Sequence, residues 1–274
     1  MKATSKKKTA LITGASNGFG MELAKLFAKD GYNLVLVARS TDRLKKLGYS
    51  LQDEHQLEHV CIVTSDLTRP ESAQEIYEEV KSSGIEIDVL VNNAGVGVHG
   101  TFLDNEFQRE LDVIQLNVVS LVTLTKLFLP EMKLRNEGKI LNLGSIVSLM
   151  PAPLMAIYGA TKAFVLSFSE ALANELKDTN ITVTTLCPGA GNTDFFHKAD
   201  AEYTKAANGP LSEPKDVARA GYEAMMKGEV KVVPGFMNKI QAAASNVIPD
   251  TALSSIMHMQ MEEETKDAYY DKEA

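Results

Sequence analysis

The sequence has little that would tie it to a membrane, to nucleic acid or to an oxidising compartment. No uninterrupted apolar run reaches the roughly 18 residues that a spanning helix needs, so no membrane span is expected. Lys2 to Lys8 has the charge of a secretory leader's start, but Leu11-Ile12 runs straight into Thr13-Gly14, and no leader is expected. Cysteine occurs twice, as Cys61 and Cys187, each inside an apolar strand-like run that reads as buried core. That usage suits a reducing cytoplasm, where the chain is expected to reside, and leaves the Asn180-Ile181-Thr182 sequon without a glycosylating compartment. Basic charge is in deficit. With 28 Lys and Arg against 36 Asp and Glu, the net charge is −8, so a nucleic-acid partner is not expected. The Lys6-Lys7-Lys8 run reads as a solvated tip. The five histidines lack metal-ligand spacing. His55-Gln56-Leu57-Glu58-His59 fits an H-x-x-E-H pattern, but His59 opens a predicted strand and the two rings diverge, so no metal is expected.

What the chain does have is a repeated order of apolar runs. The run at 9–13 ends in Gly14-Ala15-Ser16-Asn17-Gly18-Phe19-Gly20, and residues 21–29 then carry apolar side chains at helical spacing. In a strand–turn–helix setting, glycines let backbone N–H groups approach a pyrophosphate, which rests on the helix N-terminus. Further strands are predicted at 33–38, 59–64, 88–91, 138–143, 181–187 and 230–233, with helices between them from about 42, at 70–82, 106–133, 156–177 and 214–227. Alternation of this kind predicts an α/β fold: a single-domain, doubly wound, Rossmann-type seven-stranded parallel sheet with helices on both faces. The single dinucleotide-binding and catalytic domain is expected to have its core at about 8–234. An apolar extension at 235–260 follows, and a charged tail at 261–274 is expected to fray.

One stretch carries chemistry. Tyr158 and Lys162 are four apart on a predicted helix and so share a face. An ammonium near a phenol favours the phenolate. Bringing a tyrosine from about 10 to neutrality takes about 4 kcal/mol of differential interaction, within reach of a close, partly desolvated cation. The pair would then suit general acid–base work at neutral pH. Alone, Y-x-x-x-K is as readily a chance surface pair.

The surrounding residues give it weight. Thr13-Gly14-x-x-x-Gly18-x-Gly20, Asp66, Asn92-Asn93-Ala94-Gly95, Asn117, Ser145, Tyr158-x-x-x-Lys162 and Pro188-Gly189 follow one another in order. Over about residues 8–234 the chain resembles the short-chain dehydrogenase/reductase family. The resemblance implies that Tyr158 is the general acid, that Lys162 holds the nicotinamide ribose and lowers the tyrosine pKa, and that Ser145 steadies the substrate oxygen. Asn117 would hold a water linking Lys162 to solvent. The implied cofactor contacts are Gly14, Ser16, Asn17, Gly18, Phe19 and Gly20 in the turn, with Asn117, Tyr158 and Lys162 at the nicotinamide end. Asp66 and Leu67 would lie at the adenine and Asn93 on the adenosine side; Ala94 and Gly95 would flank the cofactor, and Pro188, Gly189 and Thr193 would reach its carboxamide or phosphates. One departure stands out. Gly191 replaces a bulky aliphatic residue two positions before Thr193, and the Gly189–Asn192 stretch is expected to order only with ligand.

The segments expected to flank the nicotinamide are apolar, and Ser145, Val147, Met150, Met155, Tyr158, Phe195 and Phe196 are the candidate substrate contacts. Of positive groups they offer only His99 and His197, so the substrate is expected to be an apolar small-molecule carbonyl compound or alcohol, a steroid-like body and a simpler one fitting equally. At the end of the second predicted strand an NAD-preferring enzyme places a carboxylate. This chain has Arg39 and Ser40, with Arg43 a turn further on, so NADP is the expected cofactor. Asn17 stands where many NADP-preferring relatives carry a basic residue. The Tyr158 helix is apolar on more than one face, which predicts a homodimer or homotetramer. Two competing readings remain at this stage: a non-catalytic nucleotide-sensing or scaffold protein on the same fold, and an epimerase working through a transient ketone. Residues 235–260 could cover either the pocket or a subunit interface.

Overall fold

A strand that is apolar on both faces needs cover on both sides, and that requirement organises this chain. The computed structural model describes residues 7–245 and 247–263. In chain order the first half runs β1 (Thr9–Thr13), α1 (Gly18–Lys29), β2 (Asn33–Ala38), α2 (Thr41–His55), β3 (Val60–Thr64), α3 (Ser72–Ser82) and β4 (Val89–Asn92). Then come α4 (Phe107–Ile114), α5 (Ser120–Arg135), β5 (Gly138–Leu143), α6 (Ala156–Glu175), β6 (Ile181–Leu186) and the short α7 (Phe195–Lys198). The chain ends with α8 (Pro214–Lys227), β7 (Lys231–Val232), α9 (Phe236–Ala244) and α10 (Asp250–Met261). All seven strands are parallel, in the order β3-β2-β1-β4-β5-β6-β7.

Strand periodicity sorts the core into two layers. Ala10, Ile12, Leu34, Leu36, Val89 and Val91 face one way, onto Leu23 and Phe27 of α1 and Val217, Tyr222 and Met225 of α8. Leu11, Val35, Val37, Leu90 and Ile140 face the other way, onto Ile76 and Val80 of α3 and Leu124, Phe128 and Met132 of α5. The chain reverses its winding between β1 and β4, so their carboxyl ends open the crevice where ligands bind in such sheets.

Three details depart from the sequence-based expectation. The helix predicted as continuous over 106–133 is interrupted by a π-helical turn, Gln115–Val119, which carries Asn117. π-turns of this sort concentrate at functional sites. The combined helical run Phe107–Arg135 is 29 residues long, with a window of mean hydropathy 1.6, and is long and apolar enough to cross a membrane by length and composition. It was not expected because its apolar stretches are broken by polar residues. Leu121, Leu124, Phe128 and Met132 are buried in the core, and 39% of that window is buried. Met261, placed at the start of the tail from sequence, closes α10 and is buried, and Glu262 after it pairs with Lys205; residues 264–274 of that tail lie outside the described residues. The Gly189–Asn192 stretch runs beside Ser212: Asn192 N donates to Ser212 O at 3.0 Å and Ser212 N to Ala190 O at 2.8 Å. A Cβ at Gly191 would lie 2.5 Å from Cζ of Phe19, so that ring would have to shift to admit one.

A buried polar ladder fixes the sheet to the helices that carry the site. Asn92 Nδ2 donates to Asn142 Oδ1 at 2.9 Å and to Thr125 Oγ1 at 3.1 Å; Asn142 Nδ2 donates to Ser169 Oγ at 2.8 Å. It joins β4, β5, α5 and α6. Each buried group left unpaired costs about 1–3 kcal/mol. Asn142→Leu, close in size, is therefore expected to lower stability by about 2–4 kcal/mol in urea unfolding. Wild-type stability in that variant would show the ladder to be dispensable.

Candidate active site

The crevice is a cavity of about 800 Å³, within the range of small-molecule sites. Its walls bring together Gly14, Ser16, Asn17, Gly18 and Phe19 of the first turn, Arg39, Ser40 and Arg43 at the start of α2, and Asp66 and Leu67 after β3. Asn93, Ala94, Gly95, Ser145, Val147, Met155, Tyr158, Lys162, Pro188, Gly189, Thr193, Phe195 and Phe196 complete the set expected from sequence. Three expected residues lie off the wall. Gly20 is packed behind the turn, where a Cβ would be 2.4 Å from both Gly14 O and Asn93 Nδ2. Asn117 is buried in the π-turn. Met150 was expected to touch substrate; it is instead core, buried with Leu253 and Met257, and its sulfur accepts from Gln241 Nε2 at 3.6 Å.

Several polar residues are already committed to holding the frame. Thr13 Oγ1 accepts from Asn93 N and Ala94 N, each at 3.0 Å, and donates to Val91 O. Asn93 Nδ2 donates to Thr13 O at 2.8 Å, so this side chain pins the glycine turn. Asn117 Oδ1 accepts from Val96 N at 3.0 Å, while its Nδ2 donates to Val96 O at 2.9 Å and Thr161 Oγ1 at 3.0 Å. The Asn117 amide thus positions the loop after β4 against α6. Asp66 accepts from the Thr68 backbone and hydroxyl and lies 3.8 Å from Arg39.

Ser145, Tyr158 and Lys162 meet at the carboxyl end of β5. Ser145 N–H donates to Ser148 Oγ and its Oγ accepts from Val147 N, a cap that fixes the serine at the mouth of a 3₁₀ turn. The Tyr158 ring lies 5.1 Å from that of Phe195. Lys162 is only 3% exposed; its Nζ donates to Leu143 O at 2.8 Å and lies 5.7 Å from the Tyr158 ring centroid. Burial dominates the electrostatics of this pair in the protein alone. Burial pushes the Tyr158 phenol up to about 12, against the opposing pull of its hydrogen bond with Ser145. The same desolvation brings the Lys162 ammonium down to about 8, so the cation expected to tune the tyrosine is itself destabilised.

The sequence left open whether residues 235–260 cover the pocket or a subunit interface, and marked no site residue there. Asn238 and Gln241 of α9 and Met257, Gln260 and Met261 of α10 line the far end of the cavity, so these two helices cover the pocket. Asn238 also packs on Gly189, where a Cβ would lie 2.4 Å from Asn238 Oδ1. Cationic groups are not confined to histidine either, since Lys198 and Lys205 reach the wall. No motif announced the α9 and α10 residues; only the apolar spacing of 235–260 did.

Lowering a lysine from 10.5 to about 8 corresponds to about 3 kcal/mol. Below pH 8 both states are protonated and the folded state bears the full penalty. As pH rises from 8 to 10.5 the folded lysine is neutral while the unfolded one is charged, and the penalty fades. Lys162→Met should therefore be more stable than wild type by about 1–3 kcal/mol at pH 7. That gain should shrink by pH 9.5 in paired thermal melts. A variant less stable than wild type at pH 7 would show that the ammonium is well solvated where it lies.

A family model described as short chain dehydrogenase matches residues 8–204. The chain is 36% identical over 188 residues to the very-long-chain 3-oxoacyl-CoA reductase of Rattus norvegicus, covering 65% of this chain and 58% of that one. It is 34% identical over 242 residues to the 17-beta-hydroxysteroid dehydrogenase type 3 of Homo sapiens, covering 86% of this chain and 76% of that one. Among solved structures, a short-chain dehydrogenase from Sphingobium yanoikuyae in complex with NADPH superposes with a TM-score of 0.78 at 32% identity, over 96% of this chain and 100% of that one. The match therefore extends over little more than half the length of the first of these relatives. Sequence, sheet order and site agree, and the chain belongs to the short-chain dehydrogenase/reductase family of nicotinamide-dependent oxidoreductases.

Proposed function

We propose that the protein is an NADP(H)-dependent oxidoreductase that reduces a hydrophobic ketone or aldehyde, or oxidises the matching secondary alcohol. The observation that carries this reading is a single cavity whose two ends differ in chemistry, with Ser145, Tyr158 and Lys162 between them. Towards the glycine turn the wall is polar and cationic, with Arg39, Ser40 and Arg43. Towards α9 and α10 Met155, Phe195, Phe196, Met257 and Met261 give it an apolar lining, with the carboxamides of Asn238, Gln241 and Gln260 among them. The names of the rat and human relatives, with an oxo group on an acyl chain and a hydroxyl on a steroid, support a carbonyl or alcohol on a hydrophobic body.

The residues fit a dinucleotide. Gly14, at φ 67, opens the turn where a Cβ would lie 2.8 Å from Asn93 Nδ2, and α1 presents its N-terminus there. Arg39 and Arg43 suit a ribose phosphate, while Lys162, with Tyr158 beside it, would hold the nicotinamide ribose. When bound, the cofactor supplies or accepts hydride. The protein's part is proton handling and orientation. The Ser145 hydroxyl donates to the substrate oxygen and steadies its developing charge. Tyr158, neutral at pH 7, is in the protonation state needed to donate its phenolic proton to that oxygen. Asn117 holds the Val96 loop and α6 at a fixed separation, so the two walls of the site do not drift.

Tyr158→Phe should abolish turnover, to below about 1% of wild type, with NADPH affinity nearly intact. Lys162→Ala should impair both turnover and cofactor affinity. Initial-rate kinetics with a panel of apolar ketones, following nicotinamide absorbance, measure this, and substantial turnover by Tyr158→Phe would sink the proton-donor role. NADPH should be preferred over NADH by roughly 10- to 100-fold. Arg39→Ala should erode that preference through NADPH alone; equal wild-type efficiency with the two cofactors would refute the assignment.

We also infer a symmetric homodimer or homotetramer built on the outer face of α6. Phe164 is 42% exposed there and stacks on Phe168 at 5.9 Å, beside the exposed Ala160 and Ala163. Light scattering should return a multiple of 29.9 kDa for wild type and a smaller species for Phe164→Glu. A wild-type monomer at micromolar concentration would remove this inference.

A further inference from the structure

The corner where Arg39 and Arg43 converge contains a third cation and an anion that the reading above leaves unused. Asp194 is the residue before α7, and its Oδ2 accepts from Asn17 Nδ2 at 2.6 Å. The same oxygen lies 3.6 Å from Arg43 Nη1 and 3.9 Å from Lys198 Nζ. One carboxylate oxygen therefore ties the glycine turn, the first turn of α2 and the end of α7 together. Burial holds the Lys198 ammonium below its usual value; Asp194 opposes that drop, and repulsion from Arg39 and Arg43 adds to it. The three cations are thus within electrostatic reach of one another, and all of them lie on the cavity wall with Asp194. Gathering three like charges is unfavourable unless an anion stands among them. Asp194 supplies one.

We propose that Lys198 is the third cation of the ribose 2′-phosphate site, and that the Asp194 carboxylate is an internal anion which holds this site until the phosphate displaces it. The proposal rests on the NADP(H) reading and adds to it a specificity residue and a competitor, both contributed by the segment after β6. A phosphomonoester brings a charge of about −1.5 to −2 and three acceptor oxygens, against the single charge of a carboxylate. Arg43 and Lys198 therefore gain by exchanging Asp194 for the phosphate, and the phosphate repels the carboxylate it replaces. The arrangement also accounts for Asn17, an uncharged residue in the glycine turn. Its amide donates to Asp194, where a basic residue would have added a further unneutralised charge. A cofactor without the 2′-phosphate gains nothing from the exchange, so the latch discriminates between the two dinucleotides.

Calorimetric titration of the full chain with adenosine 2′,5′-bisphosphate and with 5′-AMP separates the contributions, because the two ligands differ only at the 2′-phosphate. Wild type should bind the 2′-phosphorylated ligand at least about tenfold more tightly. Asp194→Asn should tighten that ligand a further three- to tenfold, roughly, by removing the competing charge. Lys198→Met should weaken it about tenfold and Lys198→Arg should restore it, while 5′-AMP stays within about twofold in all variants and reports that the fold is intact. If wild type shows no preference for the 2′-phosphorylated ligand, the NADP(H) reading fails and this proposal with it. If the preference is present but either Asp194→Asn or Lys198→Met leaves it unchanged, the proposal alone fails. Weaker binding by Asp194→Asn would also overturn it, since Asp194 would then be building the site rather than contesting it.

Discussion

An ammonium group can be taken out of water only if the surrounding structure is held in place to receive it, and at Lys162 this requirement shapes the whole site. Among the described residues its Nζ donates to the carbonyl of Leu143, at the last position of β5. That contact fixes the height of α6 over the sheet edge, and with it the position of Tyr158 one turn earlier. Nothing local would maintain the arrangement against the drive to rehydrate the charge. The buried ladder from Asn92 through Asn142 to Ser169 supplies the restraint from below, and Asn117 supplies it from the side through Thr161. The polar groups buried around α6 are therefore mechanical parts of the site, although none of these three asparagines lies on the cavity wall.

The cavity's two ends come from different parts of the chain. The cationic end is built mainly by the strands and turns of the first half, whose geometry follows from strand–turn–helix units repeating along the sequence. The apolar end is built from the loop after β6 and from α9 and α10, which join no strand of the sheet. A pocket assembled this way keeps hydride and proton chemistry on rigid elements, while the wall that meets substrate can vary without disturbing the sheet. The unpaired outer sides of α9 and α10, with Phe236, Met237 and Met259 exposed, show how far the apolar character of this segment exceeds what the cavity consumes.

Much of this was legible from sequence because it rests on short-range rules. The runs at 9–13, 33–38 and 138–143 are strands with those bounds, since a continuous apolar run of that length, stopped by a turn, has few alternatives. The glycine turn, Ser145, Tyr158 and Lys162 were recognisable because their spacing is tied to their chemistry. What escaped depends on contacts distant in sequence. Whether Met150 faces core or substrate is decided by Leu253 and Met257, a hundred residues away, and its own neighbours carry no sign of this. The π-turn at Asn117 was invisible for the same reason, because the partners of that side chain are Val96 and Thr161. The proximity of a cation to Tyr158 could be read from spacing, whereas the burial that raises its phenol pKa could not.

The segment from Pro188 to Lys198 is where these separate constraints meet. Gly189 lies against Asn238 of α9, and Gly191 against Phe19 of the glycine turn. Thr193 packs its methyl against the position where Gly18 lacks a Cβ, Asp194 bonds Asn17, and the Phe195 ring lies tilted beside that of Tyr158. One short segment therefore touches the glycine turn, the proton donor and the helix that covers the substrate end. The glycine at 191 belongs to the same arrangement, because a Cβ there would lie 2.5 Å from Cζ of Phe19 and the ring would have to give way for the segment to keep its place.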